Sequence, residues 1–325
     1  MQSLQQPLTI NFFGASAMKV SIAQIAPVFL DSSATWNKLK EYLYQAAEIG
    51  SELITWGETL IPGYPQWLSS SGGARFNDDD QKTAYATYWR EALTLDDRIV
   101  LEMKQLAKDK KIMLMGGIAE KQGGSVYCTL LTIGSNGEIL GRHRKLKPTY
   151  EERLVWADGD GLGLRVYQTS AGPVGGLNCW ENWLPLARAA LHRKGEFLHL
   201  AVWPISIGLT KEISRFMALE GRSWIFSASG LLRPQDFHHL NLSDFPMRDI
   251  MTRSPRNWQN GGSMIVDPTG NVIAGPLVDA EGILSAKVDP MLVVKKRQNL
   301  DYSGHYSRFD VFDFEIRQES QLHVP

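Results

Sequence analysis

The feature that most constrains the fold is a change of hydrophobic period that recurs along the chain. Residues 19–23 (Lys-Val-Ser-Ile-Ala) alternate apolar and polar side chains, the period of a strand. Residues 35–49 then bring Trp36, Leu39, Leu43 and Ala46 to one side at three-to-four-residue spacing, the period of an amphipathic helix. Residues 52–56 return to a short strand that ends at Gly57-Glu58 and runs into the turn-rich Ile61-Pro62-Gly63-Tyr64-Pro65. Glu58 is therefore expected where a strand gives way to a loop.

The alternation continues. Residues 97–110 place Ile99, Met103, Leu106 and Ala107 on one helical face, and residues 112–119 read as a buried strand. Extended runs at 126–133 and 139–146, joined by Ser135-Asn136-Gly137, predict a hairpin. Residues 173–178 lead as a strand to Cys179, and a helix is expected after it with Trp183, Ala187, Ala190 and Leu191 on one side. Strands are predicted at 197–203, 224–229, 264–266 and 283–288, a helix at 210–221 and a turn at Pro268-Thr269-Gly270-Asn271. Residues 231–260 carry three prolines and little periodicity, so a long loop or insertion near a functional surface is expected. Mixed strand-helix units and hairpins predict sheets covered by helices. Residues 1–17 are expected to be a flexible extension and residues 18–325 a single domain.

A net charge of −1 gives no broad attraction for nucleic acid or an anionic membrane. No apolar run approaches the ~18 residues that span a bilayer. With only Cys128 and Cys179 present, a disulfide scaffold is not expected, and cytoplasmic residence is. His238-His239 has no partner spacing for a metal, and Gly159-Asp160-Gly161-Leu162-Gly163 lacks the strand and helix a nucleotide loop needs.

Cys179 lies between an apolar strand and a predicted helix, where backbone N–H groups and the helix dipole would favour thiolate. On position alone it reads equally as a small buried hydrophobe. Cys128, inside an apolar run, fits that second description better. Glu58 sits among aromatic residues that could raise its pKa to that of a base, or it is a solvated loop acid. Lys145 belongs to the basic stretch Arg142-His143-Arg144-Lys145, which by itself resembles a solvated edge strand. Glu152 follows it by seven residues.

Taken together, these pieces resemble the nitrilase superfamily, whose Glu-Lys-Cys triad matches Glu58, Lys145 and Cys179 in order and context. The likeness runs from Met18 to about Phe312 and is nearest to the true nitrilase branch. It is carried by Gly57-Glu58-Thr59 with Gly63-Tyr64-Pro65, His143-Arg144-Lys145-Leu146 with Pro148-Thr149 and Glu152-Arg153, Cys179-Trp180-Glu181-Asn182, and Asp301-Tyr302-Ser303-Gly304-His305-Tyr306-Ser307-Arg308. Trp56 and Phe309 depart from the usual pattern.

The resemblance implies a four-layer αββα sandwich, a homodimer or larger spiral homo-oligomer, and neither cofactor nor metal. It implies nitrile hydrolysis: attack by Cys179 gives a thioimidate, loss of ammonia a thioester, and hydrolysis the acid. Glu58 would be the base, Lys145 would stabilise developing charge, and Glu152 would hold Lys145. Tyr64, Trp180, Asn182 and Trp203 are expected at the substrate, whereas Trp183 is expected in the core. An amidase or carbamoylase of the same superfamily would use the same triad on a carbonyl. A catalytically silent relative would not need to retain all four residues.

Overall fold

A computed structural model describes residues 15–204, 207–253, 259–308 and 310–317. Residues 1–14 of the expected extension, Phe309 and residues 254–258 of the expected long loop lie outside these. Next to the extension, the Ser16 N–H donates to Ser170 O at 2.9 Å.

The first sheet is built from β1 (Met18–Gln24), β2 (Leu53–Ile61), β3 (Met113–Gln122), β4 (Ser125–Ile133) and β5 (Ile139–Arg144). Between them come α1 (Ser32–Glu48), α2 (Trp67–Ser70), α3 (Asp79–Glu91) and α4 (Arg98–Lys110). The second half supplies β6 (Tyr167–Thr169), β7 (Gly172–Asn178), α5 (Pro185–His192), β8 (Leu198–Trp203), α6 (Ile207–Gly221), β9 (Trp224–Ser229) and β10 (Leu231–Leu232). It ends with α7 (Arg248–Thr252), β11 (Gln259–Val266), β12 (Val272–Val278), β13 (Gly282–Val288) and α8 (Pro290–Arg297). The strand orders are β13-β1-β2-β3-β4-β5 and β10-β11-β9-β8-β7-β6, with β12 pairing to β11.

Four layers follow from which faces are apolar. Trp36, Leu39, Leu43 and Ala46 of α1 and Ile99, Val100, Met103, Leu106 and Ala107 of α4 cover the outer face of the first sheet. Its inner face (Val20, Ile22, Leu53, Met115, Leu130) packs against Val174, Leu200, Val202 and Phe226 of the second. Ile213, Met217 and Ala218 of α6 and Ala187, Ala190 and Leu191 of α5 cover the far side. Each fully buried side chain of this kind contributes about 1.5–3 kcal/mol. The result is an αββα sandwich. Caps fix the helix ends: Asp31 accepts from Ala34 N at 2.8 Å at the start of α1, a contact worth ~1 kcal/mol.

Three expectations change. β2 does not stop at Trp56; it runs on through Glu58 to Ile61 with its register to β3 interrupted between Trp56 and Ile61, and Thr59 lies at φ 43°. Residues 231–253 are not an open loop. Phe237, Phe245, Met247 and Met251 are buried against Phe29, Trp67 and Tyr88. Trp183 is not core: a 3-10 turn (Cys179–Trp183) precedes α5, whose register begins at Pro185, and the indole is 42% exposed.

Candidate active site

Glu58, Lys145, Glu152 and Cys179 meet in one buried place. Glu58 comes from the irregular end of β2, Lys145 from the residue after β5, Glu152 from the 3-10 turn Tyr150–Leu154, and Cys179 from the residue after β7. Lys145 Nζ donates to Glu58 Oε1 at 3.0 Å and to Glu152 Oε2 at 2.7 Å. Donor atoms of Glu58, Glu152 and Cys179 all lie within 4.8 Å of one another. Such a set could ligate a metal, but the Lys145 ammonium already bonds both carboxylates and supplies the local positive charge.

Local sequence explains each position. Gly117 on β3 lets the bulge of β2 sit against it; a Cβ there would lie 2.5 Å from Gly57 O and Thr59 N and 2.6 Å from Glu58 Cα. Lys145 extends the ladder past β5, its N–H donating to Cys128 O at 2.8 Å. Glu152 is held on every side: it accepts from Thr149 N at 2.6 Å and from Tyr64 Oη at 3.0 Å, besides Lys145. Cys179 turns sharply out of β7 at φ 48°, a left-handed conformation that costs a non-glycine residue roughly 1–2 kcal/mol.

The turn at Cys179 is stapled to the strand carrying Lys145 by Glu181, a residue whose role sequence reasoning missed. Its carboxylate accepts from Asn178 N at 2.9 Å and Leu146 N at 2.6 Å, and it lies 3.0 Å from His143 Nε2. These partners outweigh burial and hold Glu181 below the usual carboxylate range. The basic stretch is correspondingly no solvated edge: His143, Arg144 and Lys145 are buried, and Arg142 and Arg144 both pair with Glu120. The nearest sequence signal for Glu181 is its spacing of three from Asn178, that of a capping box.

Electrostatics differ from the sequence expectation at Cys179. No α-helix starts at the sulfur, and burial pushes the thiol well above its ordinary range, against the pull of Lys145. The resting group is a thiol that needs a base. Burial also raises Glu58 to about 7, with Lys145 lowering and Glu152 raising it, which suits that task. Burial disfavours the Lys145 ammonium, yet the Glu58 and Glu152 carboxylates beside it raise its pKa well above the usual value, so it stays charged. Tyr64 is likewise pushed up, first by burial and then by Glu152, and remains a donor.

The expected substrate residues separate into two groups. Trp180 is 40% exposed beside Cys179, its ring 5.7 Å from that of Trp183. Trp203 is buried in the cluster that includes Cys179, with Nε1 donating to Ser227 Oγ at 2.9 Å. Asn182 is buried and fully engaged: its amide donates to Cys179 O at 2.9 Å and Leu177 O at 3.2 Å, and its oxygen faces His199 Nε2 at 2.7 Å. These bonds brace the turn that carries Cys179. Trp156, unremarked in the sequence, lies beneath the Lys145 ammonium at 5.5 Å and edge-on to Tyr64. His239, whose Nε2 lies 3.0 Å from Phe29 O, sits in no metal cluster among the described residues.

Two stacked sheets between helices hold a buried thiol among two carboxylates and an ammonium, a set that fits covalent thiol chemistry. The profile of the carbon-nitrogen hydrolase family matches residues 19–298. A "Nitrilase 2" from an unknown prokaryotic organism is 35% identical over 309 residues, covering 94% of each chain. The "Aliphatic nitrilase" of Rhodococcus rhodochrous is 33% identical, covering 93% of this chain and 83% of that one. Among solved structures, an amidase from Nesterenkonia sp. has the same fold at 17% identity, with a TM-score of 0.62 over 88% of this chain and 95% of that one. The chain belongs to the carbon-nitrogen hydrolase family, in the nitrilase branch of the nitrilase superfamily.

Proposed function

We propose that the chain hydrolyses an organic nitrile to the carboxylic acid and ammonia, with Cys179 as nucleophile and Glu58 as base. The observation that carries this is the convergence of the Cys179 thiol, the Glu58 and Glu152 carboxylates and the Lys145 ammonium in one buried place. Glu58 takes the Cys179 proton as the sulfur bonds the nitrile carbon; the nitrogen gains that proton and a thioimidate forms. A water, deprotonated by Glu58, adds to the same carbon. The nitrogen takes that proton back from Glu58 and a further one from the added hydroxyl, the C–N bond breaks, ammonia leaves, and a thioester remains. A second water repeats the addition, the C–S bond breaks, and the sulfur recovers its proton as acid departs.

Lys145, itself buried, faces the charge that gathers on nitrogen and then oxygen. The backbone N–H of Trp180 adjoins the sulfur and supports the same charge. Glu152, fixed by Tyr64 and Thr149, holds the ammonium. Trp180 forms an exposed apolar wall for the substrate side chain, Trp203 packs behind the sulfur, and Asn182 braces the turn. Exposed Leu186 on α5 and Leu209, Phe216 and Leu219 on α6 support pairing of two copies through that face. Among the described residues no helix is long and apolar enough to cross a membrane.

The test is a panel of nitriles and matching amides, with ammonia, acid and amide quantified. Acid and ammonia from nitriles are expected, and Cys179→Ala is expected to lose about 10⁴-fold or more. Turnover of amides alone, or full activity in Cys179→Ala, overturns the proposal.

A further inference from the structure

Cys128 is fully buried on β4, and no step above uses it. Its Sγ lies 3.2 Å from Glu58 Oε1, the same oxygen that accepts from Lys145 Nζ at 3.0 Å. Glu58 Oε2 is also buried, but has no hydrogen-bond partner among the described residues. An ionised carboxylate has no proton to give, so the thiol donates. The thiol stays protonated: burial, and then the charge on Glu58, push Cys128 well above its ordinary range. The two donors are cross-strand neighbours, since the Lys145 N–H bonds Cys128 O at 2.8 Å. They therefore approach the carboxylate from one side as a rigid pair.

We propose that Cys128 is a positioning residue: its S–H, together with Lys145, occupies Glu58 Oε1 and directs Oε2 to take protons from Cys179 and from water. Two donors on one oxygen hold the plane of the carboxylate and draw electron density to that side, leaving the lone pairs of the other free. The groups facing Glu58 are Cys128 from β4, Lys145 beyond β5, Glu152 from its 3-10 turn, Cys179 beyond β7, Tyr64 after β2 and Tyr88 from α3. Of these, Cys128 and Lys145 bond the carboxylate. Lys145 also serves Glu152, so Cys128 is the donor given to Glu58 alone.

This inference rests on the reading of Glu58 as base, and its test separates the two. The rate of Cys179 alkylation by iodoacetamide, resolved by peptide mass spectrometry, is followed against pH in the full chain. Glu58→Gln is expected to abolish the acid-side inflection; if the inflection survives, the reading of Glu58 fails. Cys128→Ala is expected to move the inflection up by roughly half to one pH unit, because a donor that favours the ionised form is gone. Cys128→Ser, which keeps a donor, is expected to stay with the unmodified chain. If the Ala variant does not fold, Cys128→Val carries the same comparison. Superposable profiles for Ala and wild type, or equal shifts for Ala and Ser, overturn the inference.

Discussion

Lys145 Nζ donates to Glu58 Oε1 at 3.0 Å, a buried contact between residues 87 positions apart in sequence. Removing the ammonium leaves Glu58 and Glu152 facing each other without their shared cation. Breaking a buried pair in this way costs about 3–5 kcal/mol. Lys145→Ala is therefore expected to lower stability in chemical denaturation and to reduce nitrile turnover by roughly 10³-fold or more. Normal turnover in a folded Lys145→Ala protein would remove the lysine from the reaction.

The pH dependence follows from Glu58, raised to about 7 chiefly by burial. A base works only when ionised, so kcat/KM is expected to fall about tenfold per unit as pH drops below that value. Stability runs the other way. A folded pKa above the unfolded 4.5 means that protonation favours the folded chain; this contribution is complete below 4.5 and lost as pH rises through about 7. Glu58→Gln should thus flatten the change of melting temperature across that window. An acid limb near pH 4.5 would show that Glu58 titrates as an ordinary carboxyl.

Tyr64→Phe keeps the ring against Trp156 and removes only the donor to Glu152. A hydrogen bond to a charged group is worth about 1.5–3 kcal/mol. The expected result is a kcat lower by roughly 10- to 100-fold with a smaller change in KM. A KM effect alone would instead place the phenol at the substrate.

Gly117→Ala tests the bulge that carries Glu58. The added methyl meets Gly57 O and Thr59 N at 2.5 Å, backbone atoms that can yield only by moving Glu58. Turnover is expected to fall by about 10²-fold, since misplacing a reacting group by 1 Å costs that much. Activity near that of the starting protein would mean the bulge adjusts freely.

Much of this was legible in the sequence because it is local. The strand at 19–23, the helices at 35–49 and 97–110 and the Asn136-Gly137 turn each depend on neighbours along the chain, and all reappear as elements. Glu58, Lys145 and Cys179 could be picked out only through their resemblance to a family pattern. What remained hidden depends on pairing across strands. Cys128 looks like one more apolar position until β4 sets it beside Lys145 and β2 bends Glu58 over Gly117. Residues 231–253 showed no period because short 3-10 and helical turns, not a long element, deliver Phe237 and Met251 to the interior. Trp183 matched the spacing of α5 but precedes it, and Pro185 resets the phase.

The boundary between the two sheets runs through the site: Glu58 and Lys145 belong to one, Cys179 to the other, with Glu181 as the fastening between them. Sliding one layer over its neighbour by a fraction of an ångström changes the gap that a proton must cross. Reshaping Leu130 or Val202, which pack between the two sheets, should therefore retune the rate as a wedge retunes a joint.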